Sequence, residues 1–230
     1  RRVSKRVPVI AGTGSNNTAG TMELTKAAAA TGVDGSLVVR PYYNKPPQEG
    51  FYQHFKAIAE CTELPLIIYN VPGRTSSNIL PQTVVRLAQD CKNIVAIKEA
   101  AGCVSQVAEL YSVLPEDFSI YSGDDMLILP FMSVGATGLI SVVSNTGGQL
   151  LQELMQAFEA GKVKDAMDLN AQMLPVAKAM FITTNPIPVK EAVSILTPIN
   201  AGPVRLPLVP MSSIEKEKVC DVFKKYGLIK

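Results

Sequence analysis

Three features of the sequence predict an α/β protein of the (β/α)8 TIM-barrel class with a C-terminal helical extension. Short β-branched runs alternate with helical patterns across residues 1–146, which implies βαβ units and a parallel sheet. Polar residues and glycines gather at the C-terminal ends of those runs, while the opposite ends are plain. No G-x-G-x-x-G follows any run, and every run ends in chemistry-bearing residues rather than one switch point alone. That pattern favours a barrel, whose chemistry sits at strand C-termini, over an open doubly wound sheet.

Strands are expected, in order, in VPVIAGTG (7–14), GSLVVRP (35–41), LPLIIYN (64–70), NIVAIKE (93–99), FSIYSGDD (118–125) and TGLISVVSN (137–145). Each is apolar on consecutive residues, as strands covered on both faces are. Helices are expected in the intervening TMELTKAAAATG, QEGFYQHFKAIAECT, LPQTVVRLAQDC, VSQVAELYSVL and MLILPFMSVG. A full barrel has eight strands. The opening RRVSKR reads as the basic last turn of a helix entering a strand. The first two βα units are therefore expected to be missing, with 1–146 supplying strands 3 to 8. From 147 to 230 the pattern is helical, at 148–160, 162–180, 187–197 and 212–226, and NPIPVK gives the third of these a proline-bearing start.

The bulk properties exclude several classes. The chain has 230 residues, 47% hydrophobic and 18% charged, enough for a substantial core. A net charge of +2 gives no basic surface for nucleic acid. No apolar run approaches the roughly 18 residues that cross a membrane, and no signal peptide is visible. Cys61, Cys91, Cys103 and Cys220 lack metal-ligand spacing and read as reduced thiols of a cytoplasmic protein. The one histidine, His54, falls on a helix expected at the surface, so acid–base work passes to lysine, tyrosine, carboxylates or hydroxyls.

Lys98 then draws the eye, because it ends the buried run IVAIK. It is read either as a lysine paired with Glu99 or as a desolvated amine able to form a Schiff base with a carbonyl substrate, without a cofactor. Tyr69 ends the preceding strand, and neighbouring strands lie about 4.8 Å apart, so its hydroxyl is expected within reach of that amine. Arg74, beyond the Pro-Gly turn, is expected in a loop over the pocket, where it suits a carboxylate. Tyr42 and Tyr43 sit between stiffening prolines, one available to the pocket and the other to an interface. Gly123 permits close backbone approach, and Ile140 is expected to line the pocket through its backbone. Asp124 and Asp125 are expected to cap the next helix rather than bind metal.

VIAGTGSNNT, PYYNKP, EGFYQHFKAIA, YNVPGRT, IKEAAG, SGDD, GLISV and NPIPVK together resemble the dihydrodipicolinate synthase family of pyruvate-dependent Schiff-base aldolases. The resemblance covers essentially the whole chain. It implies condensation of pyruvate with aspartate-4-semialdehyde, the first committed step of lysine and diaminopimelate synthesis. It further implies Lys98 as the imine-forming residue, Tyr69 as proton donor and acceptor, and Tyr43 as the tyrosine inserted into a partner subunit's relay. Arg74 matches the semialdehyde-carboxylate residue, Ile140 and Gly123 match pyruvate-pocket positions, and members are homotetramers built as dimers of dimers. Sugar-acid and sialic-acid lyases, the alternative within the superfamily, generally lack an arginine at the position of Arg74. Asn16 and Tyr42 match ligands of an allosteric lysine site, but Gly20 stands where a glutamate is expected, which implies weak lysine inhibition. The family's Thr-Thr-Gly-Glu segment has no match in the sequence. The chain alone is therefore expected to be inactive unless that part comes from elsewhere, and a non-catalytic barrel remnant is the competing reading.

Overall fold

The computed structural model describes residues 3–229 and divides into two compact units. The first runs to Asp124 and includes Pro130–Leu139; the second is Asp125–Leu129 with the chain from Ile140 onward.

The first unit is built on β1 (Ile10–Gly12), β2 (Gly35–Val39), β3 (Leu66–Asn70), β4 (Ile94–Glu99), β5 (Ser119–Ser122) and β6 (Gly138–Leu139). All neighbouring pairs are parallel, and strand order follows sequence order from β1 to β6. A doubly wound sheet reverses its order at a switch point; this one does not. Helices α1 (Thr18–Ala30), α2 (Gln48–Glu60), α3 (Pro72–Thr75), α4 (Pro81–Asp90), α5 (Val104–Val113) and α6 (Ile128–Met132) lie between the strands in sequence. Asn17 caps α1 by accepting from the Gly20 amide at 2.8 Å, and Pro81 opens α4 where its missing N–H costs nothing. Phe51, Phe55 and Ile58 recur at helical spacing along α2 and are buried, as are Val38, Leu66, Ile68 and Ile97 of the sheet. Thr13, Thr25 and Ser36 are buried too, and their hydroxyls satisfy one another at 2.6 and 2.9 Å.

Several expectations need correction. β1 covers three residues of the expected 7–14, Ile10 to Gly12, which are in register with Gly35 to Leu37 of β2. Residues 3–6 form turns, with the Arg6 amide donating to the Val3 carbonyl, rather than a helix end. Arg1 and Arg2 lie outside the described residues. Helix α3, a single turn begun by Pro72, was absent from the periodicity because four residues are too few to show one. β6 is also shorter than 137–145.

His54 is not at the surface. It lies on the flank of α2 that meets α1, is 4% exposed, and its Nδ1 sits 2.9 Å from the Thr18 hydroxyl. Burial lowers its pKa to about 4. The unfolded chain takes up a proton near pH 6.5 and the folded one only near 4. Stability is therefore expected to fall as pH drops through that window, by up to about 3 kcal/mol. Denaturant midpoints at pH 7 and pH 4.5 check this, since His54→Gln removes the group and flattens the difference.

The second unit contains α7 (Ser144–Glu159), α8 (Val163–Ala179), α9 (Ile187–Leu196) and α10 (Ser213–Lys225). Leu151, Leu154, Met173, Val219 and Phe223 are buried. Ser212 and Glu215 form a capping box on α10, each side chain taking the other's backbone N–H at 3.3 and 2.8 Å. Helix α7 starts earlier than expected and bends at Gly147, which leaves helical geometry. Asp125 is itself the first residue of the short helical segment Asp125–Leu127. It is buried and accepts from the Ser141 hydroxyl, from the Val142 amide at 3.0 Å and from the Val143 amide at 3.3 Å. Those bonds turn the chain after Leu139 towards α7, which is why the expected sixth strand ends early. Among the described residues no helix is long and apolar enough to cross a membrane.

Candidate active site

Each strand of a parallel sheet places successive side chains on opposite faces, and β3 and β4 do this in step. Tyr69 and Lys98 are register partners, as are the residues that follow them, Asn70 and Glu99. One face therefore carries the Tyr69–Lys98 pair and the other the Asn70–Glu99 pair. The Lys98 Nζ lies 4.3 Å from the centroid of the Tyr69 ring, over its face. Both residues are half-buried. A ring face at that distance favours a cation at the nitrogen.

Gly123 follows β5 and closes on the lysine from the next strand. A Cβ at this position would stand 2.9 Å from Lys98 Cε, 3.1 Å from Cγ and 2.7 Å from the Ala100 methyl. Its amide donates to the Glu99 carbonyl at 2.7 Å, so the backbone has no room to withdraw. Gly123→Ala is expected to push the lysine stem aside and slow any reaction at Nζ by about 10- to 100-fold, a misplacement effect. Comparing the reaction rate with the melting midpoint of the same variant separates this displacement from loss of fold.

Burial pushes the Tyr69 phenol above its ordinary pKa, and the Arg74 charge works in the opposite direction. Arg74 thus lies within electrostatic reach of Tyr69. It sits exposed in α3 rather than in an open loop. Lys98, Tyr69, Gly123 and Arg74 are brought together at the C-terminal ends of β3, β4 and β5.

The other expected residues are Tyr43, Tyr42, Asn16 and Ile140. Tyr43 is 88% exposed and holds a left-handed backbone (φ 71°) two residues before Lys45, which does the same (φ 44°). Tyr42 is 41% exposed. The Asn16 carbonyl accepts from the Asn44 side chain at 2.9 Å, joining its loop to that of the two tyrosines. Ile140 follows β6, half-buried, in the second unit.

Sequence reasoning missed a set of polar residues behind the lysine. Glu99, Asn70 and Arg40 are fully buried. The Glu99 carboxylate accepts from Asn70, Gln106 and the Ala101 amide, on the face away from Lys98. Burial raises its pKa, those hydrogen bonds and the Arg40 charge opposing the rise. Arg40 donates to the Thr75 hydroxyl at 2.6 Å and the Ser77 hydroxyl at 2.7 Å, and burial lowers its pKa to about 10. The available signal was a charged residue closing each of two apolar runs, in VVR and AIKE.

Comparison with known proteins places this geometry in context. The sequence profile of the Dihydrodipicolinate synthetase family matches residues 1–226. The 4-hydroxy-tetrahydrodipicolinate synthase of Desulforamulus reducens is 51% identical over 227 residues, 99% of this chain and 76% of that protein. The protein of the same name from Synechococcus elongatus is 52% identical, over 98% of this chain and 75% of its own length. The crystal structure of a dihydrodipicolinate synthase from Bacillus anthracis superposes with a TM-score of 0.94 at 50% identity, covering 96% of this chain and 75% of that one.

Proposed function

The chain belongs to the dihydrodipicolinate synthetase family, and we propose that it condenses pyruvate with aspartate-4-semialdehyde through a Schiff base on Lys98. The observation that carries the reading is the Lys98 amine 4.3 Å over the Tyr69 ring at paired strand ends.

The chemistry follows from that placement. The neutral Lys98 amine adds to the C2 carbonyl of pyruvate and, with one proton taken up from solvent, water leaves, giving an iminium. The Tyr69 π-face favours this cation as it favours the ammonium. Return of a methyl proton to solvent gives an enamine, whose carbon attacks the semialdehyde aldehyde. Tyr69, kept protonated by its raised pKa, donates to the developing alkoxide. Arg74 binds the semialdehyde carboxylate, while Gly123 shapes the pyruvate pocket. Hydrolysis of the imine returns the lysine, and no cofactor is needed.

In this reading the six strands are strands 3 to 8 of a (β/α)8 barrel formed within residues 1–146, and 147–230 is its helical extension. Tyr43, exposed on a strained loop, enters the site of a second subunit in a dimer of dimers. The protein works in the cytoplasm. Asn16 and Tyr42 lie on joined loops suited to an effector lysine, but Gly20 offers its amine no carboxylate, so titration calorimetry is expected to show no micromolar lysine binding. Incubation with pyruvate and borohydride, followed by peptide mapping, tests the central step. A reduced pyruvyl adduct on Lys98 supports it, and an adduct on another lysine, or on none when the Thr-Thr-Gly-Glu segment is supplied, refutes it.

A further inference from the structure

We propose that Glu99 is a positioning residue for the reaction, acting with Asn70, Asn78 and Gln106 as a buried acceptor-centred network that holds Lys98 and Tyr69 in register. The proposal rests on the Schiff-base reading above and goes beyond it by giving a role to side chains on the opposite face of the sheet.

The donor and acceptor pattern runs one way. The Ile79 amide donates to Asn70 Oδ1 at 3.4 Å, which commits Asn70 Nδ2 to face Glu99. That nitrogen lies 3.0 and 2.8 Å from the two Glu99 oxygens and 2.8 Å from Asn78 Oδ1. Asn78 Nδ2 donates to Gln106 Oε1 at 2.7 Å, which commits Gln106 Nε2 to Glu99 at 2.9 Å. The Ala101 amide adds a further donor at 2.7 Å. Every group around Glu99 donates, so the centre must be an acceptor on both oxygens, as only a carboxylate is. Arg40, buried at the end of β2, supplies the compensating charge.

The network grips the strand ends that carry the reacting side chains. Asn70 and Glu99 immediately follow Tyr69 and Lys98 and share their register. Arg40 donates its backbone N–H to the Tyr69 carbonyl at 3.2 Å, the Ala100 amide donates to the Asn70 carbonyl at 2.8 Å, and Gly123 donates to the Glu99 carbonyl. A slip of the β4 end relative to β3 would break hydrogen bonds on the buried side and shift Lys98 from the Tyr69 ring on the other.

The test measures the rate of borohydride-trapped pyruvate adduct on Lys98 per folded molecule, with folded fraction read by circular dichroism. Glu99→Gln places an amide among donors, and Asn70→Asp places two carboxylates together; each is expected to slow trapping about tenfold. A folded Glu99→Gln protein that traps at the parental rate overturns the proposal, because a merely structural role lowers the folded fraction and leaves that rate unchanged. Should neither single variant fold, Gln106→Ala decides, since it removes one donor from a half-buried position. About threefold slower trapping supports positioning, and an unchanged rate refutes it. A parent that gives no adduct when the Thr-Thr-Gly-Glu segment is supplied refutes the Schiff-base reading and this proposal with it, whereas equal adduct rates in parent and variants refute the positioning alone.

Discussion

Lys98→Arg is expected to abolish the pyruvate adduct and to lower turnover by roughly 10⁴- to 10⁶-fold, the scale on which removing a covalent nucleophile acts. Arginine keeps the positive charge and much of the aliphatic stem, so the contact with Gly123 and the charge over the Tyr69 ring persist in kind. What is lost is the ability to become a neutral nucleophile, because a guanidinium stays protonated at any working pH. The measurement is paired: intact mass after pyruvate and borohydride, and steady-state condensation with aspartate-4-semialdehyde. Retained turnover in Lys98→Arg would exclude imine chemistry at this position, whatever the family resemblance.

Tyr69→Phe is the second large effect. It retains the ring beneath the lysine amine and deletes only the hydroxyl, so the pyruvate adduct is expected to form while kcat falls by about 10²- to 10⁴-fold, the usual contribution of a positioned proton donor. Burial raises the pKa of the phenol above its ordinary value of 10, against the pull of Arg74. Tyr69 is therefore protonated throughout the neutral range, and no alkaline limb belonging to it is expected below about pH 9. Adduct formation and turnover lost in equal measure would place the hydroxyl in imine formation itself, and no loss in either would remove Tyr69 from the proton path.

Much of the site was legible because buried parallel strands leave an uncommon mark. A run such as IIYN or IVAIKE is apolar until the chain emerges at the end where chemistry sits, so its first polar residues stand out. Tyr69, Lys98 and Gly123 were found that way. Glu99 was considered only as one alternative partner for Lys98, because the two are adjacent, whereas the pleat sends neighbours to opposite faces and gives Glu99 to Asn70 and Gln106. His54 was misplaced because helical periodicity marks the face that meets the sheet. It does not mark the flank that meets the next helix, where Thr18 receives the ring.

The amino-acid sequence by itself determined the alternation of strand and helix, and which lysine, tyrosine and arginine stand at or just beyond the C-terminal ends of its strands. These are local properties, written in the period of apolar residues and in the cost of a charge at a buried strand end. Tertiary structure alone decided that Lys98 rests over the Tyr69 ring, that Gly123 leaves no space beside its stem, and that Asp125 turns the chain after β6. It also decided that Asn70, Asn78, Glu99 and Gln106 meet. These four come from the ends of β3 and β4, the segment before α4, and α5. Only parallel register and helix packing bring such distant donors to one carboxylate, and neither is encoded within any single stretch.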